Sequence, residues 1–544
     1  MLSEYVSDLK REFKGYNKSV LSKDVMAGLT VAAVALPLAL AFGVSSGATA
    51  ASGLITAIIA GLLIGALSGA SFQISGPTGA MTAILILLVQ KHGLSGMFIA
   101  TFLAGLMLIA AGILRLGRII TYIPSSVITG FTSGIAVIIA LGQVDSLFGT
   151  TSHGDSALAK LLSYASTGFS PHLPTLGIGL FVIAIMVFWP ASWNAKCPSS
   201  LASLILVLVI NRFAGLNTPL VGEIPKTLFL GDRLSFSDLS IDELSVFLMP
   251  ALSIAALAMI ESLLCGAAAG RLKKETLRGD RELIAQGIGN VLIPFFGGVP
   301  ATAAIARTSV VIKSGGQTRM AGLIHALVLL LSMFLLAPVM SAIPLSALAG
   351  VLIVTAWRMN DWDNIRFIFG RRFKSGIAKF TVTMCATVLL DLTQAIVVGV
   401  AFSVALVVAR LASIDIDIRE VDHTRLKELG AFTPSSRDHI RVAYLTGAIF
   451  FASVNKLKEQ LSDLGETTIL ILSMRGVPMV DLSGIQGLYE LIAELKQNGT
   501  VILLSNVHEK VIKDLKRGGV VDLVGERLVF ASEEHAIIHT SLEG

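Results

Sequence analysis

The sequence predicts an α-helical membrane protein of fourteen membrane elements, arranged as a 7+7 inverted repeat with two half-helices, followed by a small α/β domain. Three observations carry this prediction. Apolar blocks follow one another from about Lys23 to Arg410. Two short polar stretches, Ser75-Gly76-Pro77-Thr78-Gly79-Ala80 and Gly297-Gly298-Val299-Pro300-Ala301-Thr302, break the apolar pattern at places 223 residues apart. After Arg410 the composition changes to alternating strand-like and helix-like runs.

Hydrophobic residues make up 54% of the 544 residues and charged residues 15%, with a mean hydropathy of +0.78. A soluble globular chain of this size does not have such a balance. Residues 1–20 read as a polar, basic cytosolic segment rather than a cleavable signal peptide, because no small-residue cleavage site follows a short apolar core. A spanning helix needs roughly 20 apolar residues. On that measure the first seven elements fall at 24–45, 52–69, 76–90, 95–114, 124–146, 172–190 and 200–215. The second seven fall at 247–268, 283–297, 300–313, 319–338, 343–358, 375–392 and 395–412.

Seven elements per half make the halves face opposite ways, and shifting Asp24 at the start of the first element by 223 residues reaches 247, the start of the eighth. The segments 76–90 and 300–313 are too short to cross, so they are expected to be half-helices preceded by extended backbone at Phe72-Gln73-Ile74 and Phe295-Phe296. Lys and Arg concentrate in the loops this count places in the cytosol, Arg115, Arg118, Lys196, Arg271 and Lys274 among them, while the outer loops carry only Lys91, Lys160, Arg212, Lys226 and Arg233. The same bias accounts for the formal net charge of +5, because these cations form no stripe suited to nucleic acid.

The transporter domain is expected to span 21–412, a linker 413–436 and the α/β domain 437–544. In the last, strands are expected at 440–445, 448–451, 468–472, 501–504 and 528–530, and helices at 454–464, 483–496, 509–518 and 533–540.

A helix broken inside a bilayer leaves backbone groups unpaired unless the break lines a protein-walled cavity. Paired breaks in two related halves therefore point to a substrate site at the midplane. Thr78, Gly79, Ala80, Ala301 and Thr302 supply N–H and hydroxyl donors there, or serve only as small residues for close helix packing. Arg307, placed about two turns into the second half-helix, adds a positive focus for an anion, or else snorkels to the inner interface or pairs with Glu261. Glu261 is an acidic residue deep in an apolar helix; burial penalises its charged form, which makes it the candidate for proton coupling, the alternative being a permanently paired carboxyl. Phe42, five residues after Pro37, is a candidate wall of the site. Asp24 is expected to cap the first helix, and Asp145 and Asp391 to be solvated at outer helix ends. The three cysteines read as packing residues, with neither a disulfide framework nor a metal site, and no cofactor motif or enzyme constellation occurs. Ser483, at the start of a helix in the α/β domain, is either a helix cap or a phosphorylation site.

These motifs together resemble the SulP family of anion transporters, the bacterial counterpart of solute carrier family 26. The resemblance is carried by Asp24 to Thr30, Ile123 to Gly134, Arg281 to Asn290 and Gly297 to Thr308, and covers nearly the whole chain. It implies core and gate domains, with an anion held between the half-helices by Phe42, the 78–80 turn, Glu261 and the run from Ala301 through Ala306 and Arg307. The C-terminal domain is similar to STAS domains, in which Ser483 matches a serine phosphorylated in anti-sigma-factor antagonists. The sodium-coupled bicarbonate branch has Asp at the Glu261 position and Thr one turn later; Cys265 stands there in this chain and is a poor ligand for a hard cation. Leu38 replaces the glutamine that many members carry after the first-helix proline. The Ile260 to Cys265 and Ala301 to Arg307 runs look most like the branch that moves C4-dicarboxylates with protons.

The resulting expectation is a secondary active, proton-coupled dicarboxylate transporter of the bacterial inner membrane with cytoplasmic termini, working as a homodimer, with a STAS domain open to a cytosolic protein partner. The alternative is a sulfate permease or a chloride/bicarbonate-type exchanger. Minor alternatives are a passive anion channel and a membrane sensor that signals through STAS.

Overall fold

In the computed structural model, residues 2–542 are described, apart from 119–123, 155–156, 195–196, 240, 391, 422–438, 463 and 466. Ile123, Lys196, Asp391 and most of the expected linker therefore lie outside the described residues. The chain divides into two units, 1–400 and 401–544.

The first unit is helical. A short amphipathic helix, α1 (Leu2–Glu12), precedes α2 (Lys18–Ser45), whose first N–H groups are capped by the Asn17 side chain. Asp24, expected as that cap, lies more than a turn further in and is fully buried. Its carboxylate instead accepts from the Gln317 N–H at 2.6 Å, the Thr318 N–H at 3.1 Å and the Thr318 hydroxyl at 2.6 Å, satisfying the turn that opens α14 (Met320–Leu335). A carboxylate can take three such bonds, whereas a cap on its own helix would leave it half used. Two other carboxylates pin α1: Asp8 pairs with Arg281 at 2.8 Å and Arg278 at 3.1 Å, and Glu12 pairs with Arg319 at 2.8 Å.

Between these lie α3 (Ala50–Leu67), buried over most of its length, and the first break. Helix α4 (Gly79–Ile113) is two helices joined at Gly93, whose left-handed φ of 68° only glycine adopts freely. The part before Gly93 is short and the part after it longer. In the second half, α11 (Ile241–Lys273) is long and tolerates Pro250, α12 (Gly279–Leu292) follows, and α13 (Ile305–Lys313) has only nine residues. Phe295-Phe296, expected to be extended, instead lies in a 3-10 turn opened by Pro294, and α13 starts at 305 rather than 300. Pro is favoured at the start of such a turn because its fixed φ suits it and no N–H is needed.

Five helices are long and apolar enough to cross a membrane among the described residues: Lys18–Ser45, Ala50–Leu67, Ile84–Ile113, Ser125–Phe148 and Leu244–Lys273. Shorter apolar helices at Leu173–Phe188, Ser199–Ala214, Leu345–Arg358 and Val397–Leu411 occupy other expected elements. Asp145 is not simply solvated: it accepts from the hydroxyls of Tyr164 at 2.5 Å and Ser152 at 2.6 Å. Of the cysteines, Cys265 is buried, but Cys385 is exposed rather than packed.

The second unit holds a five-stranded sheet in chain order: β3 (Asp415–Glu420), β4 (Ile440–Thr446), β5 (Ile469–Gly476), β6 (Val501–Ser505) and β7 (Val529–Phe530). Strand β3, in the expected linker, pairs antiparallel with β4, and the remaining pairs are parallel. Its alternation Asp-Ile-Asp-Ile reads as polar connector on composition, yet Ile416 and Ile418 pack on the core. The expected strand at 448–451 is reduced to a single bridge between Ile449 and Val480. Leu470, Leu472 and Leu504 pack on one face against α20 (Val454–Leu461), α21 (Leu482–Gln497) and α22 (Glu509–Arg517). Ile471 and Leu503 pack on the other against α24 (Glu533–Leu542). Parallel strands covered on both faces are continuous apolar runs for this reason.

Replacing Asp24 by Asn leaves one acceptor oxygen for four donors, the Tyr16 hydroxyl at 3.4 Å being the fourth. The thermal unfolding midpoint of the purified protein is expected to fall, by the equivalent of about 2 kcal/mol.

Candidate functional site

The two breaks meet. Strand β1 (Ser75–Gly76) pairs antiparallel with β2 (Thr302–Ala303), Ser75 opposite Ala303 and Gly76 opposite Thr302. Backbone polar groups that a broken helix leaves open are thereby paired with each other, at full burial. The chain leaves the two strands in opposite directions and enters α4 and α13, and neither helix has a side-chain cap. Their first N–H groups, at Gly79–Ala80 and at Ile305–Ala306, are the unpaired donors of a helix start.

Arg307 sits at this junction, in the first turn of α13 rather than two turns in, and is 1% exposed. One guanidinium nitrogen donates to the Pro77 carbonyl at 2.8 Å, while Nη1 is buried with no protein partner. Gly76 makes this approach possible, since a Cβ there would stand 2.5 Å from Nη1. Glu261, on α11, is partly exposed and accepts from the Thr78 hydroxyl at 2.9 Å. No carboxylate lies within ion-pair distance of Arg307 among the described residues, so Glu261 is not its salt-bridge partner. Phe42 of α2 packs over the start of α4: a Cβ on Gly79 would lie 3.0 Å from its ring and would overlap Ile139. Contacts thus link Phe42 to Gly79, Thr78 to Glu261 and Arg307 to Pro77, while Ala80 follows Gly79 in α4 and Ala306 is an exposed residue of the first turn of α13.

Ala301 and Thr302 have a different place. The Ala301 N–H donates to the Asn290 amide oxygen at 2.8 Å and its carbonyl accepts from the Asn290 amide at 2.9 Å. The Thr302 hydroxyl is engaged with Ser262 at 2.8 Å. Their polar groups are occupied by the scaffold, and α13 presents Ile305 and Ala306 instead. Ser483 lies in the other unit, one residue inside α21, where Asp481 is the cap and accepts from the Gly484 N–H at 2.7 Å.

The supporting ladder was not assigned from sequence. Glu282, Gln286 and Asn290 stand four residues apart on α12, all fully buried. Glu282 accepts from the Ser68 hydroxyl at 2.6 Å and the Gly69 N–H at 2.9 Å, Gln286 donates to Ser75 at 2.7 Å, and Asn290 clamps Ala301. A polar residue at every fourth position of an apolar helix was the available signal. From α11, Ser262 accepts from the Ala303 N–H at 3.2 Å, and on α13 the Thr308 hydroxyl accepts from the Ile74 N–H at 3.1 Å and from the Cys265 thiol at 3.3 Å. Both strands are fastened on each side.

Two helices that start from one buried strand pair, beside an arginine with one guanidinium nitrogen lacking a protein partner, are an arrangement suited to holding an anion within an apolar helical unit. Residues 21–386 match the sulfate permease family and residues 433–536 match the STAS domain. The chain belongs to the SulP family of anion transporters. It is 30% identical to YvdB of Bacillus subtilis, whose name carries a provisional sulfate-transporter designation, over 95% of this chain and 97% of that protein. It is 28% identical to the bicarbonate transporter BicA of Synechocystis over 95% and 94% of the two chains. Among solved structures, the transmembrane domain of a cyanobacterial BicA superposes with a TM-score of 0.64 at 31% identity, covering 70% of this chain and 98% of that one. The murine Slc26a9 anion transporter shares the fold, with a TM-score of 0.82 at 20% identity over 97% and 92% of the chains.

Replacing Asn290 by Leu leaves the N–H and carbonyl of Ala301 buried and unpaired. A destabilisation of about 2–4 kcal/mol is expected, read as earlier thermal unfolding, with larger loss than for Asn290→Asp, which keeps an acceptor for the N–H. Gly79→Leu is expected to leave the protein folded but to abolish anion uptake, because the new side chain displaces the Phe42 ring and Ile139.

Proposed function

We propose that this protein is a secondary active transporter of a small oxyanion of the sulfate or bicarbonate class, driven by protons taken up at Glu261. The observation that carries the reading is Arg307: one nitrogen is anchored to Pro77 and the other is buried without a protein partner, beside two uncapped helix N-termini. A buried cationic donor with helix dipoles behind it favours an anion that supplies the missing acceptor. The relatives named for sulfate and bicarbonate support the inorganic class over the C4-dicarboxylate expected from the local motifs.

Glu261 is partly exposed and held only through the Thr78 hydroxyl, which can also donate to a neutral carboxyl. That leaves it free to change protonation as the anion arrives, coupling the two fluxes. Cys265 donates to Thr308 rather than facing a cation, in keeping with protons rather than sodium. The helices carrying the two breaks form the moving core of a seven-plus-seven repeat, presenting the anion to each side in turn. The excess of Lys and Arg on one set of loops supports cytoplasmic termini in the bacterial plasma membrane. The STAS domain, with Ser483 near a helix start, serves regulation or dimer support.

In proteoliposomes, saturable uptake of labelled sulfate is expected, competed by excess sulfate or bicarbonate and enhanced by an inward proton gradient; preferential competition by succinate overturns the inorganic class. Arg307→Gln is expected to lower kcat/KM roughly 30- to 100-fold, the worth of a charged hydrogen bond. Glu261→Gln is expected to keep anion exchange while losing gradient-driven accumulation. Full accumulation in that variant removes Glu261 from coupling.

A further inference from the structure

A cavity of about 910 Å³ opens where α4 and α11 end and α12 begins. Its floor is apolar, formed by Leu263 and Ala267 of α11 and by Leu277. Gly266 lets Leu277 lie against α11, since a Cβ there would come within 2.5 Å of the leucine side chain. The helical period puts Leu263, Ala267 and Gly270 on the side of α11 away from Glu261, so the cavity is separate from the transport site.

The rim is cationic. Arg115, Arg271 and Lys274 line the mouth, are exposed, and have no carboxylate partner among the described residues. The acidic groups nearby are occupied: Glu275 accepts from the Ser71 N–H at 2.9 Å and its hydroxyl at 2.5 Å, and Asp280 accepts from the Gly117 N–H at 2.8 Å. Arg278 and Arg281, which also reach this wall, are paired with Asp8. The lining thus carries six cations, Arg115, Arg118, Arg271, Lys274, Arg278 and Arg281, against the three carboxylates Glu4, Glu275 and Asp280, which leaves an excess of positive charge at the mouth.

Backbone geometry singles out two of the three cations. Arg115 has φ 62° and Lys274 φ 57°, just past the ends of α4 and α11. Left-handed residues at these places are ordinarily Gly or Asn, and a side-chain-bearing residue costs about 1 kcal/mol there. Such outliers concentrate at binding sites, where the side chain has a use that offsets the strain. Around them, Ile113, Leu114 and Leu272 are each more than 60% exposed, a surface suited to lipid and not to water.

An apolar floor, a cationic rim and a lipid-suited surround fit one ligand class. We propose that this cavity binds an anionic phospholipid, its phosphate between Arg115, Arg271 and Lys274 and the first part of an acyl chain over Ala267 and Leu277. The volume is that of a small-molecule site and accommodates a headgroup with its proximal methylenes. Basic pockets between membrane helices recognise lipid headgroups in this way. The assignment of the cavity to the inner leaflet rests on the cytoplasmic placement of these loops proposed above; lipid binding itself does not depend on transport.

The test is native mass spectrometry of the full chain in detergent, supplied with equal phosphatidylglycerol and phosphatidylcholine. One phosphatidylglycerol per chain is expected, retained at least about tenfold over phosphatidylcholine, falling to the phosphatidylcholine level in R115Q/R271Q/K274Q. Equal retention of the two lipids by the wild type, or undiminished phosphatidylglycerol in the variant, overturns the proposal. Should that variant not fold, Ala267→Phe keeps every cation and fills the floor: lost retention supports the site and unchanged retention overturns it. Displacement of phosphatidylglycerol by millimolar glycerol 3-phosphate would show a soluble phosphate site instead of a lipid site. The readout needs no anion flux, so it stands or fails apart from the transport assignment.

Discussion

The pairing of two broken helices is the constraint on which the transporter unit depends. Neither β1 nor β2 is a strand that could exist alone, since each is two residues long. Each satisfies the other in a region where water is unavailable to unpaired N–H and carbonyl groups. The pair is then fastened from the same side by Gln286 and Asn290 of α12, and from α11 by Ser262. Polar side chains buried this deeply are costly when unpartnered, and although the Gln286 amide oxygen has no protein partner, the bonds of Gln286 to Ser75 and of Asn290 to Ala301 form in only one register of the two strands.

Once that pairing is made, the chemistry of the site follows from local geometry. Glycine at position 76 admits the Arg307 guanidinium, the Pro77 carbonyl accepts one of its nitrogens, and Thr78 reaches Glu261. Three consecutive residues of the first break therefore place the two ionisable groups contributed by the second half of the chain. Glu261 and Arg307 are held by neighbouring residues of this break without being joined directly. A direct, closed ion pair would have held the site in one charge state.

Much of this was legible in the chain. Apolar block length located the spanning helices, and the two proline breaks located the junction, because proline and glycine have strong and local backbone consequences. Glu261 and Arg307 stood out because ionisable residues are rare in apolar helices. Ala301 and Thr302 were placed among the donors because they follow Pro300; the structure uses their polar groups to hold the strand, and α13 starts several residues later. Asp24 illustrates the same limit: it sits near a helix start, where a cap is the local inference, but its partners are almost 300 residues away. Strand β3 was hidden because alternating Asp and Ile next to a polar segment resembles a connector until β4 supplies its neighbour.

The sequence by itself determined that the chain lives in a membrane, that its apolar pattern is broken twice by proline and glycine, that an α/β domain follows, and which charged residues must face something other than lipid. These are properties of hydropathy, proline chemistry and charge burial, which act over a few residues. Only the tertiary structure decided which hydroxyls and amides meet which carboxylates, that β1 and β2 pair with each other, and that Arg307 keeps one nitrogen free of protein partners. Hydrogen-bond partners separated by 200 residues or more are chosen by packing, because no local rule relates Ser75 to Gln286 or Pro77 to Arg307.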